Sequence, residues 1–172
     1  MPLASPELAL FGPSPEILDT LVSRIAGANV RVYLSVYMLT EMSIVQALIA
    51  AEGRNVDVRV LLEPSVYNLP AVNKKATDLL RKADIKVSFS SERGFNFNHS
   101  KYLIVDNTAM IATGNMTKSS LHINRELFVW YTAPRVVEEL EKLFIADFDY
   151  IPVKSSNDTI ILAPLNARSS IE

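Results

Sequence analysis

A chain of 172 residues carries enough material for one domain with a sizeable core and too little for two ordinary ones. Its 49% hydrophobic and 21% charged residues exclude wholesale disorder, and the absence of cysteine excludes disulfides, a thiol nucleophile and thiolate metal sites. A formal charge of -2 and a pI near 5.7 provide no overall basic footprint for a nucleic-acid backbone. No apolar run reaches the ~18 residues of a membrane span. The start, Met1-Pro2-Leu3-Ala4-Ser5, lacks a basic n-region and an apolar h-region, so the chain as it stands reads as soluble, unexported and cytoplasmic.

The apolar run in LALFGPSPEIL ends at Gly12-Pro13-Ser14, and an amphipathic helix follows. Ser14 is its N-cap and Pro15 its first position, Ile17, Leu18, Leu21, Val22 and Ile25 form one stripe, and Gly27 marks its end. VRVYLSVYM, residues 30–38, is β-branched and aromatic, the pattern of a strand buried on both faces. A second helix starts after Thr40, carries Ile44, Val45, Leu48 and Ile49, and stops at Gly53; VDVRVLLEP, residues 56–64, is the next strand. A third helix spans 71–83 and IKVSFS, 85–90, is a further strand. Strand, helix, strand repetition predicts parallel neighbours, because these need a crossover. The predicted fold class is therefore α/β, with a mixed, mostly parallel sheet flanked by helices.

From His99 the pattern changes. HSKYLIVD and TAMIAT are apolar runs separated by Asn107, which predicts an antiparallel hairpin. RELFVWYT, 125–132, is another strand, and PRVVEELEKLFIADF is a helix with Val137, Leu140 and Phe144 facing inward. A single domain over residues 7–150 is expected. In the tail, 151–172, TIILAPLNARSSIE repeats the apolar-small-Pro-polar order of the N-terminus. It reads either as the linker and first strand of a second lobe or as an edge strand with a frayed end.

The chemistry concentrates in NHSKYLIVDN, residues 98–107. Two apart on a predicted strand, His99 and Lys101 project to one face, and Asp106 closes the far end. Singly, each reads as a structural or solvated residue. Together they form H-x-K-x-x-x-x-D, followed by ATGNMT, 112–117, and NRE, 124–126. In these three parts the chain resembles the phospholipase D superfamily, from about Glu7 to Tyr150; Ala112 stands where that family has glycine.

The resemblance implies that His99 is the nucleophile, attacking phosphorus to form a phosphohistidine. It implies that Lys101 and Asn115 hold the non-bridging phosphate oxygens with help from the Thr113 hydroxyl. Asp106 would be the structural acid of the motif, and Glu126 would orient a catalytic imidazole. His99, Lys101, Asp106, Asn115 and Glu126 are thus the candidate catalytic set. The chemistry is sound on its own terms. Neutral imidazole is a competent nucleophile near pH 7, and an ammonium and an amide aimed at the phosphate oxygens stabilise the charge that builds there. Lysine supplies the positive charge that other phosphodiesterases take from a metal, so no metal site and no cofactor are expected.

A second group must protonate the leaving alkoxide and then activate an acceptor. In the resembled family this is the histidine of a second such motif, and this chain has one motif. His122, in SSLHINRE, has no lysine two places on and reads as a surface residue. The expected partner is therefore a second copy in a homodimer, or a second lobe. The substrate is a phospholipid or another phosphodiester. NKKATDLLRK and Arg93 favour the alternative of an endonuclease, and Phe95 and Phe97 suit either lipid contact or base stacking. A further alternative is an inert lobe acting as a binding or assembly module.

Overall fold

Each element predicted between Leu8 and Phe148 is found within a few residues of its expected place in a computed structural model, which describes residues 4–69, 71–90 and 97–150. In chain order these are β1 (Leu8–Phe11), α1 (Pro15–Ala26), β2 (Arg31–Val36), α2 (Met42–Glu52), β3 (Asp57–Leu62) and α3 (Lys74–Lys82). They continue with β4 (Lys86–Phe89), β5 (Lys101–Val105), β6 (Thr108–Ala112), α4 (Lys118–His122), β7 (Leu127–Tyr131) and α5 (Pro134–Phe148). Ser14 caps α1 as its sequence predicts: the residue is extended and its Oγ accepts the Glu16 N–H at 3.3 Å. The five-residue α4 was not predicted, since it is too short to display a helical period. The tail reading, Phe95 and Arg93 lie outside the described residues.

The seven strands form one sheet in the order β1-β7-β6-β5-β2-β3-β4. It is mixed and flanked by helices, as predicted, but it is not mostly parallel. Only β2–β3 and β3–β4 run parallel, joined by the crossover helices α2 and α3. The other neighbouring pairs, β1–β7, β7–β6, β6–β5 and β5–β2, are antiparallel. The reason is the connectivity: a two-residue turn joins β5 to β6, a loop carrying α4 returns the chain to β7, and β5 enters beside β2 in the opposite sense.

Alternation along the central strands separates two apolar layers. Val32, Leu34 and Val36 of β2 and Leu103 and Val105 of β5 pack with Ile17, Leu21 and Ile25 of α1, Val45 and Leu48 of α2 and Leu80 of α3. Tyr33, Tyr102 and Ile104 point to the other face, where Val137 and Phe144 of α5 cover them. The Tyr33 and Phe144 rings stack with centroids 4.9 Å apart. Fully buried side chains such as Trp130, Phe128 and Phe144 each contribute roughly 1.5–3 kcal/mol by leaving water. No helix among the described residues is long and apolar enough to cross a membrane.

This register decides what can meet. Val36 pairs with Lys101 and Leu62 with Phe89, so Tyr37, Glu63, Ser90 and His99 leave the sheet at the same end. Val32 pairs with Val105, so Asp106 lies at the opposite end of β5.

Candidate active site

His99, expected on the strand with Lys101, lies just before it. Residues 97–100 are irregular and the β5 ladder begins at Lys101. The imidazole is exposed and packs edge-on to the buried Tyr37 ring, at 4.9 Å between centroids. Lys101 is buried; its Nζ donates to the His99 carbonyl at 2.6 Å and stands 5.8 Å from the centroid of the same Tyr37 ring. One aromatic ring therefore contacts both the imidazole and the ammonium. The Tyr37 Oη accepts the Tyr67 N–H at 2.9 Å, which fixes the ring. Burial holds the His99 imidazole below its ordinary pKa, and the Lys101 charge adds to the effect. Burial also lowers the Lys101 ammonium, opposed by attraction from Glu126.

The second limb comes from β6, β7 and the loop between them. The Thr113 N–H donates to the Leu127 carbonyl at 3.0 Å, extending the ladder beyond Ala112 to the same sheet end. The Thr113 hydroxyl donates to Glu126 Oε2 at 2.6 Å and accepts the Leu127 N–H at 3.0 Å. Its proton is committed to Glu126, so Thr113 positions that carboxylate instead of standing ready for a phosphate oxygen. Asn115 follows Gly114; a Cβ there would lie 2.8 Å from Phe128 Cζ and 3.2 Å from Glu126 Cγ, so only glycine lets this loop close on β7. The Asn115 N–H is held by Ser120 Oγ at 3.2 Å, and its Oδ1 is buried without a partner, which leaves hydrogen-bonding capacity in the side chain. Gly12 makes a comparable close approach: its N–H donates to the Glu126 carbonyl at 2.8 Å, and a Cβ would meet the Asn124 carbonyl at 2.7 Å.

His99, Lys101, Asn115 and Glu126 thus gather at one end of the sheet, and Asp106 does not join them. Asp106 takes φ 49° in the hairpin turn, and its carboxylate accepts the N–H groups of Asn29 at 3.0 Å, Val30 at 2.9 Å and Arg31 at 3.0 Å. Asp106 thus lies across β5 from His99 and binds backbone, the arrangement of a structural acid and not of a group that touches substrate. Burial alone would raise its carboxyl; the backbone donors of Arg31, Asn29 and Val30, with the Arg31 charge, outweigh this and hold it below the usual range. His122 is exposed at the last turn of α4, in keeping with its reading as a surface residue. Among the described residues, no three His, Asp or Glu side chains come together as a metal-binding group.

Beside His99 the surface is partly apolar: Phe97, its ring centroid 5.9 Å from the imidazole, is 55% exposed, and Tyr67, packed edge-on to Tyr37 at 5.7 Å, is 68% exposed. Tyr37, Glu63 and Asn98 were not singled out from the sequence. The one signal for Glu63 was a carboxylate directly after the apolar run VRVLL, where burial is enforced by the strand before it.

The profile of the family described as cardiolipin synthase, PLD-like domain, matches residues 21–148. Cardiolipin synthase A of Pseudomonas syringae pv. syringae is 33% identical over 155 residues, which cover 86% of this chain and 32% of the relative. A cardiolipin synthase of Halalkalibacterium halodurans is 31% identical over 132 residues, covering 74% of this chain and 26% of the relative. The chain therefore spans about a third and about a quarter of the lengths of these relatives. Among solved structures, the phospholipase D family member Nuc from Salmonella typhimurium superposes with a TM-score of 0.73 at 25% identity, covering 83% of this chain and 93% of the other.

Proposed function

Because the chain belongs to the phospholipase D-like family, we propose that it cleaves or exchanges a phosphodiester without a metal, by attack of His99 on phosphorus. The observation that carries this reading is the convergence of His99, Lys101, Asn115 and Glu126 at one sheet end, with Lys101 buried against the His99 loop. A neutral imidazole nitrogen forms a bond to phosphorus while the bond to the leaving oxygen breaks. The Lys101 ammonium and the Asn115 amide hold the non-bridging oxygens as their charge grows. The leaving alkoxide takes a proton from a second acid. Water or an alcohol then attacks the phosphohistidine, gives up its proton to the same group, and releases His99.

That second acid is the histidine of another copy or of a second lobe. The exposed imidazole, beside exposed Phe97 and with exposed Tyr67 against the same Tyr37 ring, suits a site completed across an interface. The near-equal length of Nuc is compatible with a single-lobe unit that pairs with itself, and the longer relatives with a two-lobed chain. Similarity to two proteins named cardiolipin synthase favours a phospholipid phosphodiester as substrate. A nucleic-acid phosphodiester is the second reading, favoured by Tyr67 and Phe97 as stacking surfaces beside His99.

The test is hydrolysis of a chromogenic phosphodiester in excess EDTA over a range of protein concentrations, with His99→Ala as control. Activity that resists EDTA, is lost in the variant and rises more steeply than linearly with protein is the expected outcome. Activity that survives His99→Ala would refute the mechanism. Turnover of phosphatidylglycerol vesicles set against single-stranded DNA then separates the two substrates.

A further inference from the structure

Glu63 has no part in the chemistry above, yet its residue is only 4% exposed. A carboxylate is costly to bury unless its oxygens are bonded. Here Oε2 accepts the Ser90 hydroxyl at 2.6 Å and the Asn98 N–H at 2.8 Å, and Oε1 accepts the Ser65 N–H at 3.3 Å. Ser90 is itself fixed at the end of β4 by donation to the Leu62 carbonyl at 3.2 Å. Asn98 is the residue before the candidate nucleophile. Its Nδ2 donates to Ser35 Oγ at 3.0 Å, and its Oδ1 accepts the Ser100 N–H at 3.0 Å and the Ser100 hydroxyl. The residues on both sides of His99 are therefore bound inward, while the imidazole between them stays exposed.

The sheet does not supply this constraint. The β2–β5 ladder stops at Val36 and Lys101, so residues 98–100 have no strand partner. We propose that Glu63 is a positioning residue for His99, its buried carboxylate anchoring the Asn98 backbone so that the imidazole is presented in one attack geometry. The inference rests on His99 being the nucleophile. A nucleophile on an irregular segment needs such an anchor, since a misplacement of about 1 Å costs on the order of 10²-fold in rate. Glu63 follows directly on β3, 35 residues before Asn98, so no local motif announces the contact.

The experiment compares Glu63→Gln and Glu63→Asp in the full chain, with the exposed Glu139→Gln on α5 as control. Three readouts are followed: exchange of the Asn98 amide hydrogen, the His99 titration midpoint by NMR, and steady-state hydrolysis of the chromogenic phosphodiester in EDTA. In Glu63→Gln the Asn98 amide is expected to exchange about tenfold faster or more, with the His99 midpoint moving toward that of a free imidazole. The same variant should lose about 10- to 100-fold in kcat with KM within about twofold. Glu63→Asp, one methylene short of Asn98, should fall between Glu63→Gln and wild type, and Glu139→Gln should match wild type. Folded Glu63 variants with wild-type Asn98 exchange and wild-type His99 titration would overturn the proposal; if Glu63→Gln does not fold, Glu63→Asp decides alone. Absence of turnover in the wild type would refute a site completed by a second copy of this chain, and the exchange and titration readouts would still decide whether Glu63 fixes the loop.

Discussion

The two ends of β5 are each held by a carboxylate that accepts backbone N–H groups. At the Asp106 end, the N–H groups of Asn29, Val30 and Arg31, at the start of β2, converge on one side chain in a tight turn. At the His99 end, the buried carboxylate of Glu63, just after β3, accepts the Asn98 N–H of an irregular segment, and the next residue, His99, presents an exposed imidazole. The first arrangement locks topology, since it ties the hairpin to the loop that starts the central strand. The second ties down the segment that carries the proposed nucleophile, in a place where the sheet gives no support. Membership of one H-x-K-x-x-x-x-D run therefore does not mean membership of one site: five residues of strand separate the structural acid from the chemistry.

If the His99 end is the reactive one, His99→Ala should remove activity about 10⁴-fold or more. Because the side chain is exposed, its urea unfolding free energy should stay within about 0.5 kcal/mol of wild type. A stability loss of several kcal/mol would place His99 with the structural end instead. Lys101→Met should cost about 10²–10³ in kcat by removing the charge that faces the phosphate. The same variant tests the electrostatics. Activity needs the neutral imidazole, and the depressed His99 pKa places the acid limb of kcat/KM below the ordinary ~6.5. Removing the Lys101 charge favours the imidazolium, so the limb should move up in pH; a limb that stays still or moves down would exclude direct coupling.

Smaller effects are expected away from the nucleophile. Gly114→Ala drives a Cβ to 2.8 Å from the Phe128 ring and should destabilise by about 1–3 kcal/mol through overpacking, with activity lost to the extent that Glu126 is displaced. Asp106→Asn keeps an acceptor and a residue tolerant of positive φ but removes the charge that three N–H groups face. A loss of roughly 1–3 kcal/mol in urea unfolding is expected, with kcat unchanged within about threefold. The sign of its pH dependence follows from the lowered carboxyl pKa. Its contribution is present above the unfolded value near ~3.9 and fades as pH falls through the lower folded value. Wild type and Asp106→Asn should therefore converge in stability in acid; a gap that widens there would refute the assignment.

The His-Lys-Asp run, ATGNMT and NRE were legible because each is contiguous and its spacing is fixed by a strand or a turn. The helices were legible for the same reason, with Ser14-Pro15 at the start of α1 and the stripe from Ile17 to Ile25. The proportion of parallel strands was not, because it depends on β5 inserting beside β2 across 65 to 73 positions of sequence, as the pairing of Val36 with Lys101 and Val32 with Val105 requires. The Thr113 hydroxyl gave a comparable lesson. Its residue type suits a phosphate oxygen, but the approach of β7 turns its proton to Glu126.

By itself the sequence determined the elements and the chemical inventory: an imidazole, an ammonium, an amide and two carboxylates at spacings that local backbone geometry converts into facing directions. Only the tertiary structure decided which of these share a place. Register between distant strands set Asp106 against the N–H groups of Asn29, Val30 and Arg31, brought Glu63 to the Asn98 N–H, and set one Tyr37 ring against both His99 and Lys101. Such contacts depend on closing long loops around a common core, a property of the whole fold that no short window of residues carries.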